Sequence, residues 1–154
     1  MDSNIINNLP DKTEYKNTTS HKFKKDLISF CKDKKIDNAL EIGANHGHTT
    51  NVLSYIANRV YALDYLQENV NFIKEVNKDR DNITIIHGDA YDDLTYKDIN
   101  CKFDLVFIDC VHTYDNVVAD INRALKYFDE NKGYSFNDST TLIGNEGIIL
   151  SYGV

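Results

Sequence analysis

The sequence predicts a doubly wound α/β fold built on a mostly parallel sheet. Two observations carry that prediction: short apolar runs alternate with amphipathic stretches, and the runs have strand length. Strands that alternate with helices need crossover connections. These run right-handed and place helices on both faces of a parallel sheet.

Residues 1–18 are polar, hold the single proline and lack periodicity, so they are expected to form a flexible arm ahead of one domain over 19–154. Ser20 is the expected N-cap of a helix reaching about Lys35, because Phe23, Leu27, Ile28 and Cys31 recur at helical spacing. The lysines of HKFKK and CKDKK are assigned to the solvated outside of that helix. NALEIGA, residues 38–44, is the first strand, and Val52, Leu53 and Ile56 mark the helix after it. RVYALD, residues 59–64, is the second strand, followed by a helix with Leu66, Val70, Ile73 and Val76 on one face. NITIIHGD (82–89) and FDLVFID (103–109) are the third and fourth strands. Tyr114, Val117, Val118, Ile121, Leu125 and Phe128 form the clearest helical stripe, GYSFND (133–138) is a weaker fifth strand, and GIILSYGV is read as a single added strand.

The 154 residues suit one domain, in which folding buries roughly 68 to 70% of the unfolded surface. A formal charge of −7 and a pI near 5.1 disfavour a nucleic-acid binder working through a basic face, since phosphate neutralisation needs clustered Lys and Arg. Cys31, Cys101 and Cys110 cannot all pair within the chain and show no CxxC spacing, which suits a reduced compartment. No run approaches the roughly 20 apolar residues of a membrane span, and the N-terminus has no signal-peptide core. The expected location is the cytoplasm, that of a host cell if the gene is viral.

Doubly wound sheets bind ligands outside the carboxyl ends of their strands. Those ends carry Glu41 just before Gly43, then Asp64, Asp89 and Asp109, with Asn137 and Asp138 after the fifth expected strand. Gly43 can adopt a positive φ, Gly47 permits close contact where the next helix begins, and that helix start can receive a carboxylate or phosphate. The G-x-x-x-G spacing is not the G-x-G-x-x-G that seats a dinucleotide diphosphate, so a single negative group is the better fit. Asp64 falls where an acidic side chain accepts from ribose hydroxyls in nucleotide-binding α/β folds, and Asp89 could accept from an adenine amino group. Together these describe an adenosine-containing ligand with little phosphate. The plainer reading of the same acids is as turn formers and helix caps, and of His112 as a hydrogen-bonded structural residue.

EIGANHGHTT, VYALDY, IIHGDA and FDLVFIDCVHTYDNVVADINRALKYF resemble the successive motifs of class I S-adenosylmethionine-dependent methyltransferases, over about residues 38 to 138. The last stretch resembles the FIDxxHxYxxVxxDI signature of a branch of small-molecule O-methyltransferases. The resemblance implies a Rossmann-like methyltransferase sheet. It also implies that the turn of Gly43, Ala44, Asn45 and Gly47, following Glu41, holds the methionine portion, with Thr49 near its carboxylate. Asp64 would bind the ribose, Tyr65 would touch the cofactor, Asp89 and Ala90 would flank adenine, and Asp109 would line the reaction centre. In metal-dependent members an acid at the place of Asp109 joins a pair here represented by Asn137 and Asp138, an oxygen-rich set that suits Mg²⁺. His112 is the alternative, as a general base.

The family usually adds further C-terminal strands, and this sequence is expected to lack part of them. Three explanations compete: a minimal enzyme that self-associates, a fragment of a larger methyltransferase, or an inactive module that binds S-adenosylmethionine or S-adenosylhomocysteine. The expected partner is a small hydroxylated acceptor, with no nucleic acid and no membrane. A nicotinamide oxidoreductase is disfavoured by the glycine spacing. Amino-group DNA methylation is disfavoured because FIDCVH lacks the Asn/Asp-Pro-Pro-aromatic motif.

Overall fold

A computed structural model of the chain describes residues 19–110, 113–127 and 148–151. In chain order the elements are α1 (His21–Cys31), β1 (Ile36–Ile42), α2 (His48–Ile56), β2 (Ala57–Asp64), α3 (Gln67–Val76), β3 (Ile83–His87), a 3-10 turn (Asp93–Tyr96), β4 (Leu105–Ile108), α4 (Tyr114–Tyr127) and β5 (Ile148–Ser151). The five strands form one sheet in the order β3-β2-β1-β4-β5. All four neighbouring pairs are parallel. The expected fold class is therefore observed, and the order reverses between β1 and β4, where a ligand crevice opens in such sheets.

Alternation along the strands separates the two layers. Ala39 of β1, Val60 of β2, and Leu105 and Phe107 of β4 pack with Leu27, Ile28 and Cys31 of α1 and Val52, Leu53 and Ile56 of α2. Ile73 of α3 extends that layer over Ala62. On the other face Leu40, Ile42, Leu63, Val106 and Ile108 pack with Tyr96, Phe103, and Ile121 and Ala124 of α4. Each fully buried Leu or Ile contributes about 1.5 to 3 kcal/mol, and burial on both faces explains why the strands read as nearly continuous apolar runs. The crossover from β3 to β4 carries only the 3-10 turn. A cavity of about 620 Å³ lies between that segment and β3, lined by Tyr61, Thr84 and Ile86 among others.

Local chemistry sets the element ends. The Ser20 hydroxyl accepts the Phe23 N–H at 3.1 Å, as expected of an N-cap. The helix stops at Cys31, short of the expected Lys35; the Lys34 N–H bonds the Cys31 carbonyl, and β1 begins at Ile36 to pair with Ala57. Lys24 is buried on the inner face of α1, which corrects its assignment to a solvated face: it stands three and four residues before Leu27 and Ile28 and shares their stripe. In α4 the apolar stripe is also corrected, since Val118 and Leu125 are exposed while Asp120 is buried beside Ile121. The strand expected at GYSFND lies outside the described residues. A strand expected in GIILSYGV is observed as Ile148–Ser151 and pairs with β4. All three cysteines are free.

Candidate functional site

β1 ends at Ile42, and the chain then turns through three left-handed residues: Gly43 at φ 86°, Asn45 at 48° and Gly47 at 79°. The Gly43 and Ala44 N–H groups both donate to the Leu63 carbonyl, at 2.9 and 3.0 Å, so the turn is tied to the end of β2. A Cβ on Gly43 would collide with the Asp109 carbonyl and reach 3.0 Å from Cys110 Sγ. One on Gly47 would stand 2.7 Å from Asn77 Nδ2 and 2.9 Å from Ile73 Cα. Conformation and space thus both demand glycine. Gly47 is the N-cap of α2, and among the described residues no side chain caps that helix start.

Asp64 ends β2 and is buried. Its Oδ2 accepts the Asn45 N–H at 2.7 Å, and its Oδ1 accepts the Leu66 N–H at 2.9 Å and Asn69 Nδ2 at 3.0 Å. A carboxylate offers about four acceptor positions, so about one remains. Tyr65 and Leu66 project beside it, 67% and 53% exposed. At the end of β3 the Gly88 N–H donates to the Asp64 carbonyl at 3.1 Å, and the exposed Asp89 accepts the Tyr91 N–H through Oδ1 at 2.8 Å. Ala90 is buried in the second core layer, and its carbonyl accepts the Tyr96 hydroxyl.

Glu41 is the most enclosed acid of the group, 1% exposed, and the Thr50 hydroxyl donates to its Oε2. Burial pushes its carboxyl up to about 8, Thr50 opposes that, Asp109 and Asp64 add to it, and Lys24 works against it. The interactions place Glu41, Asp64 and Asp109 in one electrostatic neighbourhood around Gly43. Asp109, half-buried after β4, bonds the Ile42 carbonyl through its N–H at 2.9 Å. Thr49, at the start of α2, is buried and shares a 2.8 Å hydrogen bond with the Thr19 hydroxyl. His112, Asn137 and Asp138 lie outside the described residues. Among the described residues no three His, Cys, Asp or Glu side chains form a metal-binding group.

Sequence reasoning missed the supports of this turn. Thr50 holds Glu41 and Asn69 holds Asp64, while Asn77, through one amide, bonds the Gly47 carbonyl at 3.0 Å and the Ile73 carbonyl at 2.9 Å. Asp120 was also missed. It is 1% exposed, neither oxygen has a hydrogen-bond partner among the described residues, and burial raises it to about 6 against the pull of Tyr91 and Arg123. Tyr91 therefore stands close enough to favour the charged form without the alignment of a regular hydrogen bond. A helix-stripe position occupied by a polar residue was the available signal for both Lys24 and Asp120.

The sequence profile of a methyltransferase domain matches residues 40–139, which includes the turn and the ends of β2, β3 and β4. The chain belongs to that methyltransferase family. Solved structures of low identity share the fold of this methyltransferase domain. Precorrin-6y C5,15-methyltransferase from Geobacter metallireducens is 18% identical, with a TM-score of 0.65 over 84% of this chain and 70% of that one. The N-methyltransferase NodS from Bradyrhizobium japonicum, in complex with S-adenosylhomocysteine, is 16% identical, with a TM-score of 0.63 over 86% and 69%. Precorrin-8w decarboxylase from Methanobacterium thermoautotrophicum is 19% identical, with a TM-score of 0.60; the match covers 73% of this chain but only 59% of that protein. No curated protein sequence matches the chain. None of the described helices of the methyltransferase domain is long and apolar enough to cross a membrane.

Proposed function

We propose that the chain binds S-adenosylmethionine and transfers its methyl group to the oxygen of a small hydroxylated acceptor. The observation that carries this reading is the Gly43–Gly47 turn held against a buried Asp64 that keeps about one acceptor position open. The charge of the site supports it. Asp64 and Asp109 act on Glu41 beside the turn, and their charge favours a ligand bearing a sulfonium and an ammonium over one bearing phosphates.

S-adenosylmethionine supplies an activated methyl group: the S–CH₃ bond breaks as the O–CH₃ bond forms, and the acceptor's proton leaves to a base. The protein's part is alignment. Asp64 accepts from the ribose, the rigid turn fixes the amino-acid end, Tyr65 and Leu66 wall the base, and Asp109 lines the point of transfer. His112 is the candidate base. Assistance by Mg²⁺ rests on Asp109 with Asn137 and Asp138; of these only Asp109 is described, and no step is routed through a cation. Activity that survives a chelator unchanged rejects that assistance.

Calorimetric titration of the folded protein with S-adenosylhomocysteine tests the binding half, with saturable heat expected. Absence of binding overturns the reading. Methyl transfer to a member of a hydroxylated-acceptor panel, read by mass spectrometry, tests the other half. Tight binding with an inert panel supports a cofactor-binding module instead, and transfer to amines alone corrects the nucleophile.

A further inference from the structure

We infer that Thr95 and Tyr96 are positioning residues that fix how Asp89 and Ala90 meet the base of the ligand, and so set which purine the site accepts. The inference rests on the S-adenosylmethionine reading, in which that pair flanks the adenine. Consecutive side-chain hydroxyls of the 3-10 turn grip consecutive carbonyls of the pair: Thr95 Oγ1 donates to the Asp89 carbonyl at 2.7 Å, and the Tyr96 hydroxyl donates to that of Ala90 at 3.1 Å. Both residues are themselves held. The Tyr96 ring is 1% exposed and stacks on Tyr127 of α4, with centroids 4.8 Å apart and planes at 19°. The Thr95 N–H donates to the Asp92 carbonyl at 3.1 Å, and its side chain lies so close to Gly88 that a Cβ there would stand 2.6 Å from both Thr95 Oγ1 and Cγ2.

The fold makes such a grip necessary. The crossover from β3 to β4 has no α-helix to pack it on the sheet, a cavity opens beneath it, and Asp89 is exposed. An exposed acid discriminates between ligands only when its carboxylate is held in advance, since a free side chain turns to whichever donor is offered. Asp89 is held at both its side chain and its backbone. Oδ1 accepts the Tyr91 N–H at 2.8 Å, and the carbonyl takes the Asp92 N–H at 3.1 Å together with the Thr95 hydroxyl. That leaves Oδ2 to accept from the amino group of adenine. Hypoxanthine carries an oxygen in place of that amino group and has its donor one ring position away, at N1. A carboxylate fixed for the amino group misses that donor, whereas a loosened one can reach it.

Calorimetric titrations that compare S-adenosylhomocysteine with S-inosylhomocysteine, its hypoxanthine counterpart, test the inference. Wild type should prefer S-adenosylhomocysteine by about tenfold to a hundredfold, the range for one hydrogen bond to a charged group. Thr95→Val removes the hydroxyl and keeps the shape; it should weaken S-adenosylhomocysteine by about two- to tenfold while S-inosylhomocysteine stays within about twofold or binds more tightly. Tyr96→Phe should shift the preference in the same direction, and Thr95→Ser, which keeps the donor, should retain it. Equal weakening of the two ligands, or of neither, assigns that hydroxyl a structural role and overturns the inference for it. If a variant does not fold, wild type still decides, because equal affinity for the two ligands removes Asp89 from base selection and overturns the inference while the cofactor reading stands. Failure of wild type to bind either ligand refutes the cofactor reading itself, a result distinct from a lost preference.

Discussion

Two adjacent strand ends each present a buried carboxylate, and they are built in opposite ways. Glu41, near the end of β1, has one hydroxyl donor, Thr50, and is held near 8 by burial. Asp64, at the end of β2, receives three N–H donors from Asn45, Leu66 and Asn69. Donors to the ionised form stabilise it, whereas enclosure with a single donor does not. One turn therefore presents a preorganised acceptor, and the other a group ready to exchange a proton when a charged ligand enters. The two neighbouring acids thus suit different parts of the zwitterionic, adenosine-bearing ligand proposed above.

The most damaging way to break this pairing is to disturb the turn between the two acids. Gly43→Ala places a methyl group against the Asp109 carbonyl at a φ of 86°. The left-handed backbone alone costs roughly 1 to 2 kcal/mol. The collision must in addition push β1 away from the end of β4. Binding of S-adenosylhomocysteine should fall below detection while far-UV circular dichroism shows a folded chain. Binding within tenfold of wild type would show that the ligand does not use this turn.

Asp64→Ala comes next. It removes the proposed ribose acceptor and takes from the Asn45 and Leu66 N–H groups the carboxylate to which they donate. Each charge-assisted bond is worth about 1.5 to 3 kcal/mol, so affinity should drop by about a hundredfold or more. Asp64→Asn should recover little, because an amide accepts through only one of its two terminal atoms.

Much of this arrangement was legible in the chain, and the rest was hidden for a physical reason. LVFI and the run inside VYALD read as strands because both faces of the sheet are covered, which leaves no polar alternation to confuse. Gly43, Gly47, Asp64, Asp89 and Asp109 could be placed in the turn and just at or after strand ends because such positions are local features. Asn77 could not: its role is to hold the Gly47 carbonyl from thirty positions away, and an asparagine after a helix reads as an ordinary cap. Lys24 was on the right stripe, yet its charge suggested solvent. The run IILS, inside the stretch GIILSYGV read as an added strand, pairs with β4, while GYSFND lies outside the described residues.

A smaller effect sharpens the comparison through pH. Glu41 is raised from 4.5 to about 8, so between those values the unfolded chain has released a proton that the fold retains. The stability it contributes is fully present below about 4.5 and is lost as pH rises through 8, by at most about 1.4 kcal/mol per pH unit. Asp120, raised to about 6, adds a slope of the same sign at lower pH, so the window from 6 to 8 is diagnostic of Glu41. Thermal melts should show wild type losing stability across that window and Glu41→Gln losing distinctly less. Parallel curves would show that Glu41 is ionised in the fold.

The smallest expected effect asks how the ribose reaches Asp64. Three of about four acceptor positions are occupied, and Asn69 is the only one of the three donors that is a side chain. If the ribose takes the open position, Asn69 remains in place and continues to orient the carboxylate. Asn69→Ala should then weaken S-adenosylhomocysteine by no more than about tenfold, the cost of one hydrogen bond, while Asp64→Ala remains far worse. If the ribose must instead displace the amide, removing Asn69 should tighten binding, because the competitor is gone. The sign of the change in titrations of Asn69→Ala distinguishes the two, and tighter binding would mean that the Asp64 pocket is closed until the ligand opens it.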